Sequence, residues 1–199
     1  MGDINQQVYL EQFLPRVEGP VLEVGSKEYG STSTFRKQFS QWPYVGVDMQ
    51  AGLGVDQVID LVEGVGELPE NSFALVICCS VLEHVTKPWK MAENLTRLLH
   101  PQGRLFISVP WVWRYHAYPD DYFRFSFRGI MQLFPDLDWE HIHYSTTVPG
   151  EFLIVKESCM NIDDMMSFCC SEQQSHRKYL PYLMVNMLGS KRRSGRQAA

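Results

Sequence analysis

The feature that most constrains the fold is a series of short apolar segments, each of strand length and bounded by turn residues or charges. The first five lie at Val21–Val24 and at residues 44–47, 57–59, 73–78 and 104–109. Helical spacing is found between or after them at residues 32–39, 89–99 and 127–134. Strands that alternate with helices predict a parallel sheet covered by helices on both faces. The uninterrupted segment ALVICC is typical of a strand that is buried on both sides.

The remaining segments extend this domain at both ends. Residues 3–14 predict an N-terminal helix, with Ile4 and Val8 among its apolar positions, and residues 139–144 and 152–155 predict two more strands. Together these segments indicate a single-domain, doubly wound α/β fold with a mostly parallel sheet.

Three parts of the chain are expected to differ in role. Residues 1–158 form the main domain with its N-terminal helix, and residues 159–190 form a helical extension packed on it, with helices at 163–170 and 176–188. Residues 191–199 are a basic tail that is too poor in apolar side chains to order.

Composition excludes several classes of protein. The 199 residues carry a formal net charge of −5, which argues against a nucleic-acid-binding domain. No apolar run is long enough to span a bilayer, and no secretory signal is visible. The five cysteines include two pairs of sequence neighbours and lack the spacing of a zinc site, so no metal is expected. Buried thiols of this kind fit a reducing, cytoplasmic location.

The stretch VLEVGSKEYGS, at residues 21–31, predicts a ligand site. A strand ends near Glu23, and Gly25 lets a ligand approach the backbone without a Cβ in the way. Asp48 closes the second strand, 25 residues after Glu23, where a carboxylate can bind both hydroxyls of a ribose. Asp60 follows the third strand and can accept a hydrogen bond from an adenine amino group. These features indicate a nucleoside without selecting one cofactor.

The combination of motifs resembles the class I S-adenosylmethionine-dependent methyltransferases, in the branch sometimes called type 11. The matching stretches are EVG at residues 23–25, Asp48, Asp60-Leu61, ELPENSFALV, SVLEHV and LLHPQGRLFISVP. The resemblance implies a seven-stranded Rossmann-like sheet and S-adenosylmethionine as cofactor. It places Glu23 and Gly25 at the methionine end, Asp48 at the ribose, Asp60 and Leu61 at the adenine and Ser80 near the sulfonium. The full set of cofactor residues it implies is Glu23, Gly25, Ser26, Gly30, Asp48, Met49, Asp60, Leu61, Cys79 and Ser80.

One departure keeps other functions open. Lys27 and Tyr29 stand where the family has its second and third loop glycines, and Gly30 comes one position late. A non-catalytic binding or scaffold protein that kept the fold is therefore an alternative. An NAD-dependent oxidoreductase is a further alternative, but Lys27 and Tyr29 crowd a pyrophosphate, and Glu23 would repel its charge. Glu23 suits a cationic sulfonium and ammonium group.

The segment PWVWRYHAYPDDYFRFS, at residues 110–126, predicts the acceptor side of the site. Aromatic walls with a few polar groups are typical of a small-molecule pocket, although the same aromatics could fill the core. The residues predicted to bind the acceptor are Trp111, Tyr115, Tyr118, Tyr122 and Arg124. His116 is the first candidate for the general base, and Asp120 or Asp121 would orient it or act instead.

The acceptor itself is predicted only as a class. The segment resembles one in bacterial methyltransferases of glycan biosynthesis, which implies a small-molecule or glycan-type acceptor that is methylated on oxygen. His84, His141 and His143 are interpreted as structural, and no nucleic-acid partner is expected. Residues 179–193 are expected to pack on the domain or to form a homodimer rather than to contact a membrane.

Overall fold

The computed structural model describes residues 4–30, 34–117, 119–155 and 182–192. The helices are α1 (Ile4–Phe13), α2 (Pro88–Leu98) and α3 (Phe127–Leu133), with a short 3-10 helix at Leu82–His84. The strands are β1 (Val21–Val24), β2 (Tyr44–Asp48), β3 (Gln57–Val58), β4 (Phe73–Cys79), β5 (Leu99–Val112), β6 (Leu137–Ser145), β7 (Phe152–Ile154) and β8 (Leu183–Lys191). Helices α2 and α3 alternate with β4, β5 and β6 as the apolar pattern predicted, whereas the described residues between β1 and β4 contain no α-helix.

The strands form one sheet in the order β3-β2-β1-β4-β5-β8-β6-β7. Strands β1 to β5 pair in parallel, whereas β8 is antiparallel to both β5 and β6, and β7 is antiparallel to β6. The predicted doubly wound α/β fold is confirmed. The chain order reverses beside β1, so ligands are expected at the carboxyl ends of β1 and β4.

The expected helix at residues 176–188 is wrong over the part that the structure describes. Leu183–Lys191 is a strand that lies between β5 and β6, so the described residues form eight strands rather than seven. A central strand covered on both faces is apolar throughout, and such a run cannot be distinguished from a buried helix by periodicity. The apolar side chains of this segment, which were expected to pack on the domain or to form a homodimer, therefore lie in the interior of the sheet over the described range. Residues 159–181, with the helix predicted at 163–170, and residues 193–199 lie outside the described residues.

The helix predicted at residues 32–39 is also absent from the described residues 34–42, which form consecutive turns. Within this segment, the Gln38 and Phe39 amides both donate to the Phe35 carbonyl. The Thr34 hydroxyl accepts from the Arg36 amide, which competes with helical hydrogen bonding.

Two layers cover the sheet. Helices α2 and α3 pack on one face, and α1 packs on the other together with Phe35 and Phe39. The buried face of α1 differs from the predicted one, because Ile4 is 49% exposed whereas Asn5 and Gln6 are buried. These two polar residues have specific partners near the site, as described below.

The central position of β8 predicts its contribution to stability. Leu188→Ala removes a fully buried side chain from the sheet and should cost about 2–5 kcal/mol, which lowers Tm by about 5–15 °C. Ile154→Ala, on the exposed edge strand β7, is the control and should change stability by less than about 0.5 kcal/mol. Thermal unfolding followed by circular dichroism measures both. Equal Tm values for the two variants would contradict the central placement of β8.

Candidate functional site

The carboxyl ends of the parallel strands meet at one edge of the sheet. The Gly25 and Ser26 amides donate to the Val47 carbonyl at 2.9 and 3.1 Å, and the Ile59 amide donates to Asp48 at 2.9 Å. On the other side of β1, Val24 pairs with Cys78 of β4. The segments that carry the predicted cofactor residues are therefore hydrogen-bonded neighbours.

The turn after β1 leaves no room for a side chain at its first residue. Gly25 has φ +72°, and a Cβ placed on it would lie 2.4 Å from a methyl carbon of Val81. A side chain is excluded by both the backbone conformation and the space. Gly30 also has a positive φ, +73°, but a Cβ there would contact nothing within 4 Å. Both glycines are thus required by the backbone conformation, and Gly25 is required by the lack of space as well.

Ser26 supplies a polar group without a partner. It is buried beside Gly46, and within the described residues its Oγ neither accepts nor donates a hydrogen bond. An unsatisfied buried hydroxyl costs free energy unless a ligand or water pairs with it. Together, the bare backbone at Gly25 and the free hydroxyl of Ser26 fit a polar ligand in this turn.

Glu23 is buried in β1 and accepts a 2.6 Å hydrogen bond from the Tyr44 hydroxyl. Burial raises the pKa of its carboxyl to about 7, although Tyr44 and the nearby Arg36 guanidinium act in the opposite direction. A carboxyl poised in this way gains a full charge when a cation approaches it. The predicted preference of Glu23 for a cationic ligand therefore has a physical basis in its burial.

Asp48 is half-buried at the end of β2, and its two oxygens accept from the Lys27 and Gln50 amides at 3.3 and 2.9 Å. Each carboxylate oxygen keeps a second lone pair for a ribose hydroxyl. The Lys27 ammonium bonds to the Gln50 side chain at 2.8 Å, and the Lys27 stem lies along Gly52. Met49 is exposed beside Asp48.

The predicted adenine residues differ from each other in exposure. Asp60 is exposed and accepts a 2.9 Å hydrogen bond from the Val62 amide. The Leu61 side chain, however, is 2% exposed and belongs to the core, and its carbonyl accepts a 2.8 Å hydrogen bond from the Asn94 side chain. A cavity of about 610 Å³ lies next to this segment, between residues 62–64 and α2, and does not include Glu23 or Asp48.

Helix α1 contributes a residue that the sequence analysis missed. Gln6 donates from its side-chain amide to both the Ser80 and Ser108 hydroxyls, each at 3.2 Å. Ser80 has φ +54° at the end of β4, next to the half-buried Cys79. Asn5 fixes the helix from the same side by donating to Thr146. The sequence carries no signal for this role, because the apolar pattern of α1 does not show that Asn5 and Gln6 are buried.

The acceptor segment is attached to the turn after β4. The Tyr122 and Phe123 amides donate to the Glu83 carbonyl at 2.8 and 3.2 Å, and a ring nitrogen of His84 bonds to the Asp120 carbonyl at 2.5 Å. Strand β5 continues to Val112, so the irregular part of this segment begins later than the sequence predicted. The described residues of segment 110–126 therefore form a wall, called the acceptor wall below. It lies beside the turn at Gly25 and Ser26, which is called the cofactor turn.

His116, Asp121 and Arg124 form a connected group in this wall. The His116 amide and its Nδ1 lie 2.9 and 3.0 Å from Asp121 Oδ2, and Arg124 binds both carboxylate oxygens at 2.5 and 2.7 Å. The Asp121 side chain is 1% exposed. Burial opposes its ionisation, but Arg124 and the His116 amide outweigh that effect and hold the Asp121 pKa at about 2. An ionised Asp121 therefore orients the imidazole.

The other predicted acceptor residues have different surroundings. Asp120 accepts from the Tyr115 hydroxyl at 2.9 Å and from the Asp121 amide, so it is Asp121 that contacts His116. Tyr115 and Tyr122 are exposed. Trp111 packs edge-on against Tyr144 at 5.5 Å, at the border of the core. Tyr118 lies outside the described residues.

The histidines of β6 are structural, as interpreted from the sequence. Phe13 of α1 stacks on His141 and His143 at 5.5 and 4.3 Å, and the Tyr9 hydroxyl donates to the His141 carbonyl. A ring nitrogen of His143 lies 2.8 Å from the same carbonyl. These contacts fasten α1 to the sheet.

Residues 22–107 match the family model described as a methyltransferase domain. The ubiquinone biosynthesis O-methyltransferase of Xanthomonas oryzae pv. oryzae (strain PXO99A) is 34% identical over 61 residues, which is 31% of this chain and 26% of that protein. The chain thus aligns with about a quarter of the length of the curated relatives it matches.

Two solved structures are similar in fold. Phosphoethanolamine N-methyltransferase 2 of Haemonchus contortus, in complex with phosphomonomethylethanolamine and S-adenosylhomocysteine, has a TM-score of 0.62 at 15% identity, covering 94% of this chain and 52% of that one. The 1,6-didemethyltoxoflavin-N1-methyltransferase of Burkholderia thailandensis, with its substrate and S-adenosylhomocysteine bound, has a TM-score of 0.61 at 14% identity, covering 95% and 77%.

The predicted resemblance to methyltransferases is therefore confirmed over residues 22–107, and the chain has the Rossmann-like fold of the two solved methyltransferases. The turn at Gly25 and Ser26 and the carboxylates of Glu23 and Asp48 fit the polar, cationic cofactor of that class. In the described parts of the chain, no helix has the length and apolar character required to cross a membrane.

The two glycines of the loop provide a matched test of the cofactor turn. Gly25→Ala and Gly30→Ala both force a side chain into a positive φ, but only the first meets Val81. We expect Gly25→Ala to weaken S-adenosylhomocysteine binding at least tenfold more than Gly30→Ala does, by isothermal titration calorimetry. The shared backbone strain should cost each variant about 1–2 kcal/mol of stability. Equal affinities would remove Gly25 from the cofactor turn.

The burial of Glu23 predicts a pH-dependent stability. Its folded-state pKa of about 7 exceeds the ordinary value of 4.5, so its contribution is fully present below pH 4.5 and is lost as the pH rises through 7. Compared with Glu23→Gln, which keeps an acceptor for Tyr44, the wild type should lose about 1–3 kcal/mol between pH 4.5 and 8.

The comparison cancels other titrating groups, including Arg36 and Glu28 near this carboxyl, because both proteins contain them. Tm measured against pH for the two proteins gives the difference directly. Two curves that stay parallel across this range would show that Glu23 titrates as an ordinary carboxyl.

Proposed function

We propose that the protein transfers a methyl group from S-adenosylmethionine to an oxygen of a small-molecule acceptor. The observation that carries the proposal is the position of the acceptor segment. The turn that follows β4 contacts Gly25 through Val81 and holds residues 122 and 123 through the Glu83 carbonyl. Cofactor turn and acceptor wall are thus joined at one edge of the sheet.

The cofactor would be held by the residues at the carboxyl ends of β1 and β2. Gly25 admits it, the Ser26 hydroxyl and Glu23 carboxylate face its polar groups, and Asp48 accepts from the ribose hydroxyls. S-adenosylmethionine supplies the electrophilic methyl group when bound. The protein orients the acceptor in line with that methyl and excludes water.

Oxygen is favoured as the methylated atom because the wall presents a proton acceptor. A neutral hydroxyl must lose its proton as it attacks, and the imidazole of His116, oriented by the ionised Asp121, is placed to take it. The similarity to an O-methyltransferase over 61 residues supports this choice. A glycan-type acceptor remains within the proposal, because the exposed Tyr115 and Tyr122 offer ring faces of the kind that line sugar sites.

His116→Ala separates the chemistry from cofactor binding. Turnover of radiolabelled S-adenosylmethionine with a panel of hydroxylated small molecules and sugars should fall by about 10²–10⁴-fold. The affinity for S-adenosylhomocysteine should stay within about twofold, because His116 lies in the acceptor wall. His100→Ala alters an exposed histidine at the start of β5, the opposite end of the strand, and serves as the control.

Two results would contradict the proposal. Wild-type turnover in His116→Ala, on the same acceptor, would remove His116 from the reaction. Absence of S-adenosylhomocysteine binding by the wild-type protein at millimolar ligand would favour a binding or scaffold protein that kept the fold.

A further inference from the structure

Three groups with free electron pairs converge beside the acceptor wall. They are the carboxylate of Glu83, the imidazole of His84 and the imidazole of His116. One potential ligand atom of each lies within 4.8 Å of the other two. Glu83 Oε1 is 3.8 Å from His84 Nε2, and the two imidazole rings meet edge-on at 4.8 Å. Two of these residues come from the 3-10 helix and the third from the acceptor segment.

The hydrogen bonds of the two histidines determine which nitrogen is free. His84 Nδ1 bonds to the Asp120 carbonyl at 2.5 Å, and His116 Nδ1 lies 3.0 Å from an Asp121 carboxylate oxygen and 3.4 Å from the Arg114 carbonyl. Because all of these partners are acceptors, Nδ1 carries the proton in each ring and Nε2 keeps its lone pair. Histidines that bind metals are oriented in this way, with the second ring nitrogen donating to a carbonyl or carboxylate.

The Glu83 carboxyl is the least satisfied group of the three. Its side chain is 1% exposed, and among the described residues Oε2 has no hydrogen-bond partner. The nearby Arg124 is bound to both oxygens of Asp121, so it does not pair with Glu83. A buried carboxyl in this position is stabilised by a cation that binds directly to it.

We propose that Glu83, His84 and His116 form a binding site for a divalent transition-metal ion. Two imidazoles and one carboxylate suit Zn²⁺, Mn²⁺ or Fe²⁺ better than Mg²⁺ or Ca²⁺, which prefer oxygen ligands. Bonds of about 2.0–2.2 Å place neighbouring ligand atoms about 3.4 Å apart, so the side chains would close by about 1 Å around the ion. No metal was expected from the sequence, because the positions of these ligands along the chain do not match a zinc motif.

The site deepens the proposed function and depends on it for its chemical role. Three protein ligands leave open positions, and a hydroxyl oxygen bound there ionises nearer to neutral pH. With the ion bound, His116 Nε2 would serve as a ligand and would no longer be the base that takes the hydroxyl proton. The O–H bond would then break with its electron pair left on the oxygen, and the proton would pass to water. The oxygen is then a nucleophile for the methyl group. Metal binding itself requires no cofactor and no acceptor.

Binding of Mn²⁺ to the full-length protein tests the site. After dialysis against a chelator, titration followed by electron paramagnetic resonance should give one site per chain. Glu83→Gln and His116→Ala should each weaken Mn²⁺ binding at least tenfold, whereas His100→Ala should match the wild type. Mn²⁺ is the appropriate probe because, unlike Zn²⁺, it has little affinity for the five cysteines.

Affinity for S-adenosylhomocysteine, measured on the same samples, reports folding and keeps the two proposals separate. If Glu83→Gln fails to fold, His116→Ala, on a half-exposed side chain, gives the result. The metal site is overturned if the wild type binds no Mn²⁺ at millimolar concentration, or if both variants bind it as the wild type does. In either case retained S-adenosylhomocysteine binding leaves the proposed function intact. Mn²⁺ binding without S-adenosylhomocysteine binding supports the metal site and counts against the proposed function.

Discussion

The parallel pairing of β1 with β2 on one side and β4 on the other is the constraint on which the site depends. Because the strands run in the same direction, their carboxyl ends lie at one edge, and the turns that follow them become neighbours. This pairing explains why Gly25, Asp48 and Ser80, which are far apart in sequence, lie in adjacent turns. The buried Glu23 is part of the same strand, so the charge of the site is set within the sheet itself.

A second constraint is the burial of the Asp121 carboxylate against Arg124. An acceptor wall made of irregular chain has few backbone hydrogen bonds of its own, so it must be held by side chains. The two short hydrogen bonds from Arg124 to Asp121 hold the wall in place. Asp121 also accepts a hydrogen bond from the His116 amide. Arg124, which was predicted to bind the acceptor, thus bonds to Asp121, and it also donates to the carbonyls of residues 113, 114 and 123.

The sequence allowed prediction of β1 to β7 and of α2 and α3, because each has a clear apolar pattern and turn residues at its ends. It failed at β8, where burial on both faces removes the alternation that identifies a strand. It also failed at residues 34–42, where local side-chain hydrogen bonds compete with a helix. The proposed cofactor residues were predicted from the ends of the strands. Gln6 and Glu83 were missed because the apolar pattern does not indicate which polar residues are buried.

The turn from Ser80 to His84 connects the two halves of the site. Val81 closes the space above Gly25, the Glu83 carbonyl holds residues 122 and 123, and His84 bonds to Asp120. A ligand that displaces the Val81 side chain would therefore also move residues 82–84, which are hydrogen-bonded to the acceptor wall. In the proposed function, these five consecutive residues would set the distance between cofactor and acceptor, and methyl transfer is sensitive to that distance at the scale of about 1 Å. The same short segment supplies two of the three proposed metal ligands, so cofactor, acceptor and ion would share one structural support.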